Sequence, residues 1–382
     1  MRFIHLSDLH IGKSVNGFSM LEEQRHVFQQ IIGYIESKKA DAVIIAGDVY
    51  DRAVPGVEAV KLFDNFLTEL AGLQVTVFII SGNHDSPERL NFARRLLSRG
   101  NIHLCCEFDG NLRFELMEDE YGEIRFWLLP FIKPALVNSF FPDLELDSYR
   151  DAAAAVIETA RIDINTRNVL VSHQYYTPED MQLIRSESEL SPIGGLDAID
   201  AALLQHFDYA ALGHLHRSQK AGYNQIRYAG SPVKYSFSEW KHDKTVLLVE
   251  MREKGVLTTE TLPLTPIRDM REIKGKLDAL TSGEAAGQAN REDYVRVILT
   301  DEDELVDPMG KIRSVYPNVM SLDFENSRTS IDMSSILADA DAVESLSAYD
   351  LFCDFFMDIQ GSVMSNEQVA IIKELFEAEE IE

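Results

Sequence analysis

Cysteine is nearly absent from this sequence. Its 382 residues include three, Cys105, Cys106 and Cys353. No C-x-x-C pair occurs, which excludes a disulfide scaffold and a zinc-thiolate site. Basic charge is also scarce: Lys and Arg number 36 against 63 Asp and Glu, a net charge of -27. That balance argues against a basic nucleic-acid coat or a polybasic membrane anchor, while leaving room for a local phosphate site. No apolar run approaches the roughly 20 residues that cross a bilayer. His5, Asp8 and His10 interrupt the stretch a signal peptide would need. The expectation is a soluble, cytoplasmic chain with no membrane partner. Core-forming material is plentiful, at 45% apolar and 26% charged residues, so wholesale disorder is excluded and the length suits two domains.

The first 265 residues alternate short apolar runs with amphipathic stretches. Residues 2–6, 42–46, 75–80, 169–171 and 209–212 predict buried strands, each short, apolar and followed by polar turn residues. Helical spacing appears between the first two in Val27, Ile31, Ile32 and Ile35, and between the second and third in Val60, Phe63, Phe66, Leu67 and Leu70. Later strands at 112–117, 124–129, 225–229, 245–251 and 256–264 predict a second, largely antiparallel sheet. The fold class is therefore α/β, a layered sandwich. Beyond it, 266–330 predicts a small α/β module of strand, helix, strand, helix and strand, with a polar loop at 281–290. Residues 331–382 carry 13 acids and one base, Lys373. Two amphipathic helices are expected there, presenting Phe352, Phe355, Phe356 and Phe376. Two such short helices cannot bury their own apolar faces, so they need the body or a partner to cover them.

The chemistry-bearing residues follow the strands. Asp8 and His10 come after the first as D-L-H, and Asp48 after the second as G-D-V-Y-D. Asn83, His84 and Asp85 follow the third as G-N-H-D. His173 follows a later strand as S-H-Q, and His214 and His216 another as G-H-L-H. In α/β sheets sites assemble at the carboxyl ends of strands, so five strand ends would deliver these groups to one rim. Half of the ten histidines fall in these motifs. Residues two apart on an extended chain project to one side, which would bring Asp8 to His10 and His214 to His216. Carboxylate, carboxamide and imidazole without thiolate suit Mn²⁺, Fe or Zn²⁺ better than Ca²⁺. A pair of divalent cations needs a bridging ligand. Asp48 is the natural choice, since its strand lies between the other two in sequence. Two cations against two carboxylates leave a positive site in an acidic chain, suited to phosphate and to lowering the pKa of a water.

The series DLH, GDVYD, GNHD, SHQ and GHLH resembles the calcineurin-type metallophosphoesterase superfamily. Adding the runs RFIHLSDLHIG, DAVIIAGDVYD, YAALGHLHRSQ and RYAGSPVKYSFSE, the likeness extends over nearly the whole chain, to the nuclease-subunit family that works with an SbcC-type ATPase. The resemblance implies a four-layer α/β/β/α sandwich with a capping domain and a helical C-terminal tail. It implies one cation held by Asp8, His10, Asp48 and His216 and a second by Asp48, Asn83, His173 and His214, with Mn²⁺ the typical metal. His84 resembles the family's non-ligand catalytic histidine, with Asp85 expected to orient it. An activated water attacks phosphorus. The implied activity is 3'-5' double-strand exonuclease and single-strand or hairpin endonuclease, in DNA repair, recombination and replication. Asp51-Arg52 matches phosphoprotein phosphatases only in part, because Ala53 stands where they carry glycine.

DNA contacts would come from cations flanking the motifs: Lys13, Arg52, Arg89, Arg94, Arg95, Arg217 and Lys220. The resemblance also implies a homodimer through Val60, Phe63, Leu67, Leu96 and Leu97, and docking of the ATPase on the tail phenylalanines. Gly194-Gly195 is not followed by G-K-[ST], so ATP chemistry belongs to the partner. Two other functions share these residues. One is a small-molecule phosphomonoesterase or cyclic phosphodiesterase, and the other a non-catalytic scaffold.

Overall fold

The computed structural model describes residues 1–178, 183–189, 198–282 and 290–326, with short runs at 352–353, 355–357, 363–365, 368–369 and 371–372. Two compact units divide the chain, Met1–Asp269 and Met270–Glu382.

In the first unit β1 (Arg2–Leu6), β2 (Ala42–Ala46), β3 (Thr76–Ile80) and β4 (Ile102–Cys105) run parallel and adjacent. A parallel strand is covered on both faces, which is why the Ala-Val-Ile-Ile-Ala run of β2 is buried at every position. The crossovers are α1 (Leu21–Lys38) and α2 (Val57–Gly72). They bury Val27, Phe28, Ile31 and Ile35 in one and Leu62, Phe63, Phe66 and Leu70 in the other. Phe28 stacks on Phe66 with ring centroids 4.6 Å apart.

The second sheet contains β5 (Arg113–Asp119), β6 (Gly122–Leu129), β7 (Arg167–Ser172), β8 (Tyr209–Leu212), β9 (Gln219–Lys220) and β10 (Ile226–Tyr228), in the order β9-β10-β8-β7-β6-β5. On its outer face lies α3 (Tyr149–Thr159), whose Ala152, Val156 and Ile157 share a core with Trp127, Leu170 and Leu212. The inner faces of the two sheets meet through Phe3, Ile44 and Phe78 on one side and Phe126, Val171 and Tyr209 on the other. Phe78 and Phe126 stack at 4.4 Å, and burying each such side chain contributes about 1.5–3 kcal/mol. The layers are helix, sheet, sheet, helix.

One expectation fails. The strands β11 (Thr245–Met251) and β12 (Leu257–Pro263) do not join the second sheet: β11 pairs antiparallel with β1, and β12 with β11. The second sheet is built instead around parallel β6, β7, β8 and β10. Alternation along a strand reveals which face is buried, not which neighbour it pairs with.

In the second unit β13 (Met270–Gly275), β14 (Tyr294–Leu299) and β15 (Val319–Phe324) form a parallel three-stranded sheet. Two short helices, α4 (Leu277–Thr281) and α5 (Pro308–Arg313), supply Leu277, Leu280 and Ile312 to a core with Val295, Val297 and Val319. Phe352 and Phe356 are half-buried, and Phe355 is 60% exposed. Phe376, Gly194 and Gly195 lie outside the described residues, as does most of 331–382. No helix among the described residues is long and apolar enough to cross a membrane.

Candidate metal centre

Register decides where the motifs emerge. Leu6 pairs with Ile45 and Ala46 with Ile80, so the chains leaving β1, β2 and β3 reach the sheet edge together. In the second sheet Ser172 pairs with Leu212, which puts His173 beside Gly213-His214. The glycines ahead of the ligand candidates let these loops close. A Cβ on Gly82 would overlap the Asp48 carboxylate, and one on Gly213 would overlap the Ala46 carbonyl and the His173 ring. Only hydrogen permits that approach.

Asp8 and His10 converge, though not by strand alternation. Their φ angles are 52° and 41°, with 50° at Asp48 and 100° at His214. Left-handed backbone at non-glycine positions costs of order 1 kcal/mol each and persists where the surroundings enforce it. Here the Asp8 amide donates to Gly47 O at 3.1 Å and the His10 amide to Asp48 O at 2.9 Å. Gln24 Nε2 donates to His10 O at 2.8 Å and to Leu9 O at 3.1 Å. The Asp8 carboxylate accepts the His214 amide at 3.0 Å, tying the two sheets' loops together.

The side chains meet at short range. His10 Nε2 lies 3.1 Å from His216 Nε2 and 3.6 Å from Asp48 Oδ2. His173 Nε2 lies 3.2 Å from the same Asp48 oxygen and 3.8 Å from Asp8 Oδ1. Asn83 Oδ1 and His214 Nδ1 are 3.1 Å apart. Ligand atoms of Asp8, His10 and His216, of His10, Asp48 and His84, and of Asp8, Asp48 and His173 lie within 4.8 Å of one another in each group. Asp48 thus stands between the His10–His216 side and the His173 side. Apart from half-buried Asn83 and His84, all these residues are buried.

A cation fits this donor set. Ligands about 2.1 Å from one ion and about 90° apart lie about 3 Å from each other, close to the His10–His216 spacing of 3.1 Å. His173 donates from Nδ1 to Ala46 O at 2.6 Å, and its buried Nε2 has no hydrogen-bond partner despite facing both carboxylates. Burial works against a charge on His173, but Asp48 outweighs it and lifts the imidazole to about 9. Burial likewise opposes charge on Asp48, where His173 and His10 prevail and hold it well below the usual carboxylate range. Asp8 moves the other way, raised by burial. Burial depresses His10 and takes His214 down to about 3. A proton on His173 is what a divalent ion would replace.

Comparison with known proteins places this geometry. Residues 1–218 match the family described as "Calcineurin-like phosphoesterase". The SbcD component of the SbcCD nuclease from Staphylococcus epidermidis is 31% identical over 327 residues, 84% of this chain and 85% of that one. The chain is a calcineurin-like phosphoesterase of the SbcD family. A second SbcD relative, from Staphylococcus saprophyticus, is 29% identical over 99% of this chain and 98% of its own. Residues 266–359 match the family described as "Type 5 capsule protein repressor C-terminal domain". Among solved structures, a dimetal phosphatase from Danio rerio covers 69% of this chain and 99% of its own at 11% identity and a TM-score of 0.39.

Several expected roles change within this phosphoesterase fold. Asp85 does not orient His84. Its carboxylate accepts three backbone amides, from Val49 at 3.1 Å, Tyr50 at 2.9 Å and Gly82 at 2.9 Å. The His84 ring instead donates from Nδ1 to Asp51 O at 3.0 Å, while the His84 amide donates to Asp48 Oδ1 at 2.9 Å. Lys13 spends its ammonium on Asp51 at 2.8 Å. Arg52 is 80% exposed in its side chain, and Arg89 and Arg217 are also exposed. Of the dimer candidates, Phe63 is core, whereas Val60 is 44% and Leu96 68% exposed. Leu67 and Leu97 are half-buried.

Sequence reasoning missed the supporting polar residues. Gln24 had a signal, being polar at helical spacing from Phe28, Ile31 and Ile35 on the buried face of α1. Glu189 and Glu239 are both buried beside His216; Glu189 lies in no motif, and Glu239 closes the run RYAGSPVKYSFSE without a spacing that marks it as a partner of His216. Burial pushes Glu189 up to about 7.

Proposed function

We propose that this chain is the nuclease subunit of a complex with an SbcC-type ATPase and hydrolyses phosphodiester bonds in DNA with divalent metal. The observation that carries it is the meeting of Asp8, His10, Asp48, His173 and His216 within a few ångströms at strand ends of two sheets. We assign one cation to Asp8, His10, Asp48 and His216, and another to Asp48, Asn83, His173 and His214, with Mn²⁺ as the metal. Bound there, the pair would offset phosphate charge and make a water acidic enough to attack phosphorus.

The chain's own groups do the rest. Because His84 Nδ1 donates to the Asp51 carbonyl, Nε2 is the nitrogen left for substrate; carrying a second proton as imidazolium, the ring would hand it from Nε2 to the leaving oxygen and keep the Nδ1–H on its anchor. Asp85 clamps the loops after β2 and β3 through three amides, and so fixes Asp48 relative to Asn83. Lys13 acts through Asp51, which carries the His84 anchor. Arg52, Arg89 and Arg217 contact the DNA backbone without reading bases. We read 1–265 as the nuclease domain, 266–330 as a capping domain and 331–382 as the ATPase-docking tail, with Phe352, Phe355, Phe356 and Phe376 as anchors. Two copies pair through Val60, Leu96 and Leu97. The setting is cytoplasmic, on nucleoid DNA under repair, recombination or replication.

The test is an assay on blunt, hairpin and single-stranded DNA, with and without the ATPase, across Mn²⁺, Mg²⁺ and Zn²⁺. Metal-dependent cleavage of duplex ends and hairpins supports the proposal. Hydrolysis of a generic phosphomonoester with DNA left intact, ATPase included, would replace it with a small-molecule phosphatase.

A further inference from the structure

His216 is held from three directions by buried ionisable groups. Its ring Nδ1 lies 3.1 Å from Glu239 Oε1 and 2.9 Å from Ser188 Oγ, and Ser188 donates to that same glutamate oxygen at 2.7 Å. Its backbone amide donates to Glu189 Oε1 at 2.7 Å. Its carbonyl accepts from Lys244 Nζ at 2.9 Å. Lys244 also pairs with Glu239 Oε2 at 2.5 Å and donates to Ser231 Oγ at 2.7 Å. Glu239 has no exposed surface. These groups come from separate segments: the turn Phe237–Glu239, the residue before β11, and the stretch at 183–189.

The other imidazoles of the centre are furnished differently. His173 Nδ1 donates to a backbone carbonyl, His214 Nδ1 meets Asn83, and His10 Nδ1 has no hydrogen-bond partner. Among the described residues, His216 is the ligand candidate whose Nδ1 bonds to a carboxylate outside the proposed ligand set. Stability does not account for this arrangement, since a buried ion pair is often matched or bettered by apolar residues of the same volume. Its placement behind one ligand does. A carboxylate accepting from Nδ1–H fixes the tautomer, turns Nε2 toward the partner ligands and makes it more basic. That Nε2 faces His10 Nε2 at 3.1 Å.

We propose that Glu239, with Lys244 as its counter-ion, is a positioning residue that selectively strengthens the cation site of Asp8, His10, Asp48 and His216. This rests on the metal centre proposed above. Lys244 serves twice, because removing it would leave Glu239 buried and uncompensated and would free the His216 carbonyl.

The test uses the full-length chain, stripped of metal and titrated with Mn²⁺ by calorimetry, comparing wild type with Glu239→Gln and with Glu239→Gln/Lys244→Met. The double variant removes both charges, so a folded protein is available even if the single variant strands an ammonium. In each folded variant one of the two Mn²⁺ affinities should fall roughly 10–100-fold while the other holds, with hydrolysis recovering at saturating Mn²⁺. Unchanged affinities in a folded double variant would overturn the assignment, and so would equal weakening of both sites. If the wild type binds no Mn²⁺, the metal centre itself falls and this inference with it. If the wild type binds two ions and the variants do likewise with the same affinities, only this inference falls.

Discussion

His84 anchors its ring on a backbone carbonyl, which leaves its other nitrogen for the substrate role proposed above. Removing the ring leaves the candidate ligands in place, so His84→Ala should retain Mn²⁺ while losing about 10²–10⁴-fold in hydrolysis rate. Metal content and steady-state DNA cleavage on the same preparation check this. Gly82 is a different kind of residue, defined by what it lacks. An added methyl would overlap the Asp48 carboxylate and its amide, so Gly82→Ala should cost about 1–3 kcal/mol by overpacking, read as a lowered urea midpoint, and should weaken metal binding. The five motifs were legible because each chemistry-bearing residue directly follows an apolar run. The roles of Asp85, Glu189 and Glu239 were not. Asp85 sits in a ligand motif yet serves three backbone amides, and which amides need an acceptor depends on loops that meet only in the fold.

Among the elements, the β5–β6 hairpin carries at Asp119 two ion pairs, one to the N-terminal ammonium at 2.7 Å and one to Arg167. Arg167, at the start of β7, donates to Asp119 at 2.5 and 3.1 Å and to the Arg252 carbonyl at 2.8 Å, with its own side chain 3% exposed. Burial disfavours the Asp119 charge, but Arg167 prevails and holds the carboxyl well below the usual range. A depressed carboxylate contributes stability that is present above its unfolded pKa of about 3.9 and is lost as pH falls toward the folded value. Asp119→Ala should therefore cost about 3 kcal/mol at pH 7, because it strands a buried guanidinium. Urea titrations at pH 7 and in strong acid should show the difference from wild type shrinking in acid. Three of the four parallel strands of the first sheet were legible from their apolar runs; β4, a short strand with His103 inside it, was not. The destination of β11 and β12 was not, since a half-buried hairpin fits the edge of either sheet. Nor was the left-handed backbone at Asp8, His10 and Asp48, which the neighbouring loop imposes and local propensity does not announce.

At the scale of the whole molecule, charge is divided. The last 52 residues carry 13 acids and one base, and so -12 of the net -27, while the exposed arginines Arg52, Arg89 and Arg217 flank the candidate centre in sequence. Non-specific DNA affinity of the isolated chain should be weak and steep in salt, and replacing any one of these arginines by alanine should reduce the slope of log K against log salt by about 1. Equilibrium binding from low to moderate salt reads this directly. The central claim is that Asp48, standing between His10 and His173, would be the carboxylate common to two divalent-ion sites. Electron paramagnetic resonance of the full chain loaded with two equivalents of Mn²⁺ addresses it most directly. The account predicts a spin-coupled pair in the wild type that disappears in Asp48→Asn. A single isolated Mn²⁺ signal in the wild type, or a coupled pair that survives the substitution, would contradict it.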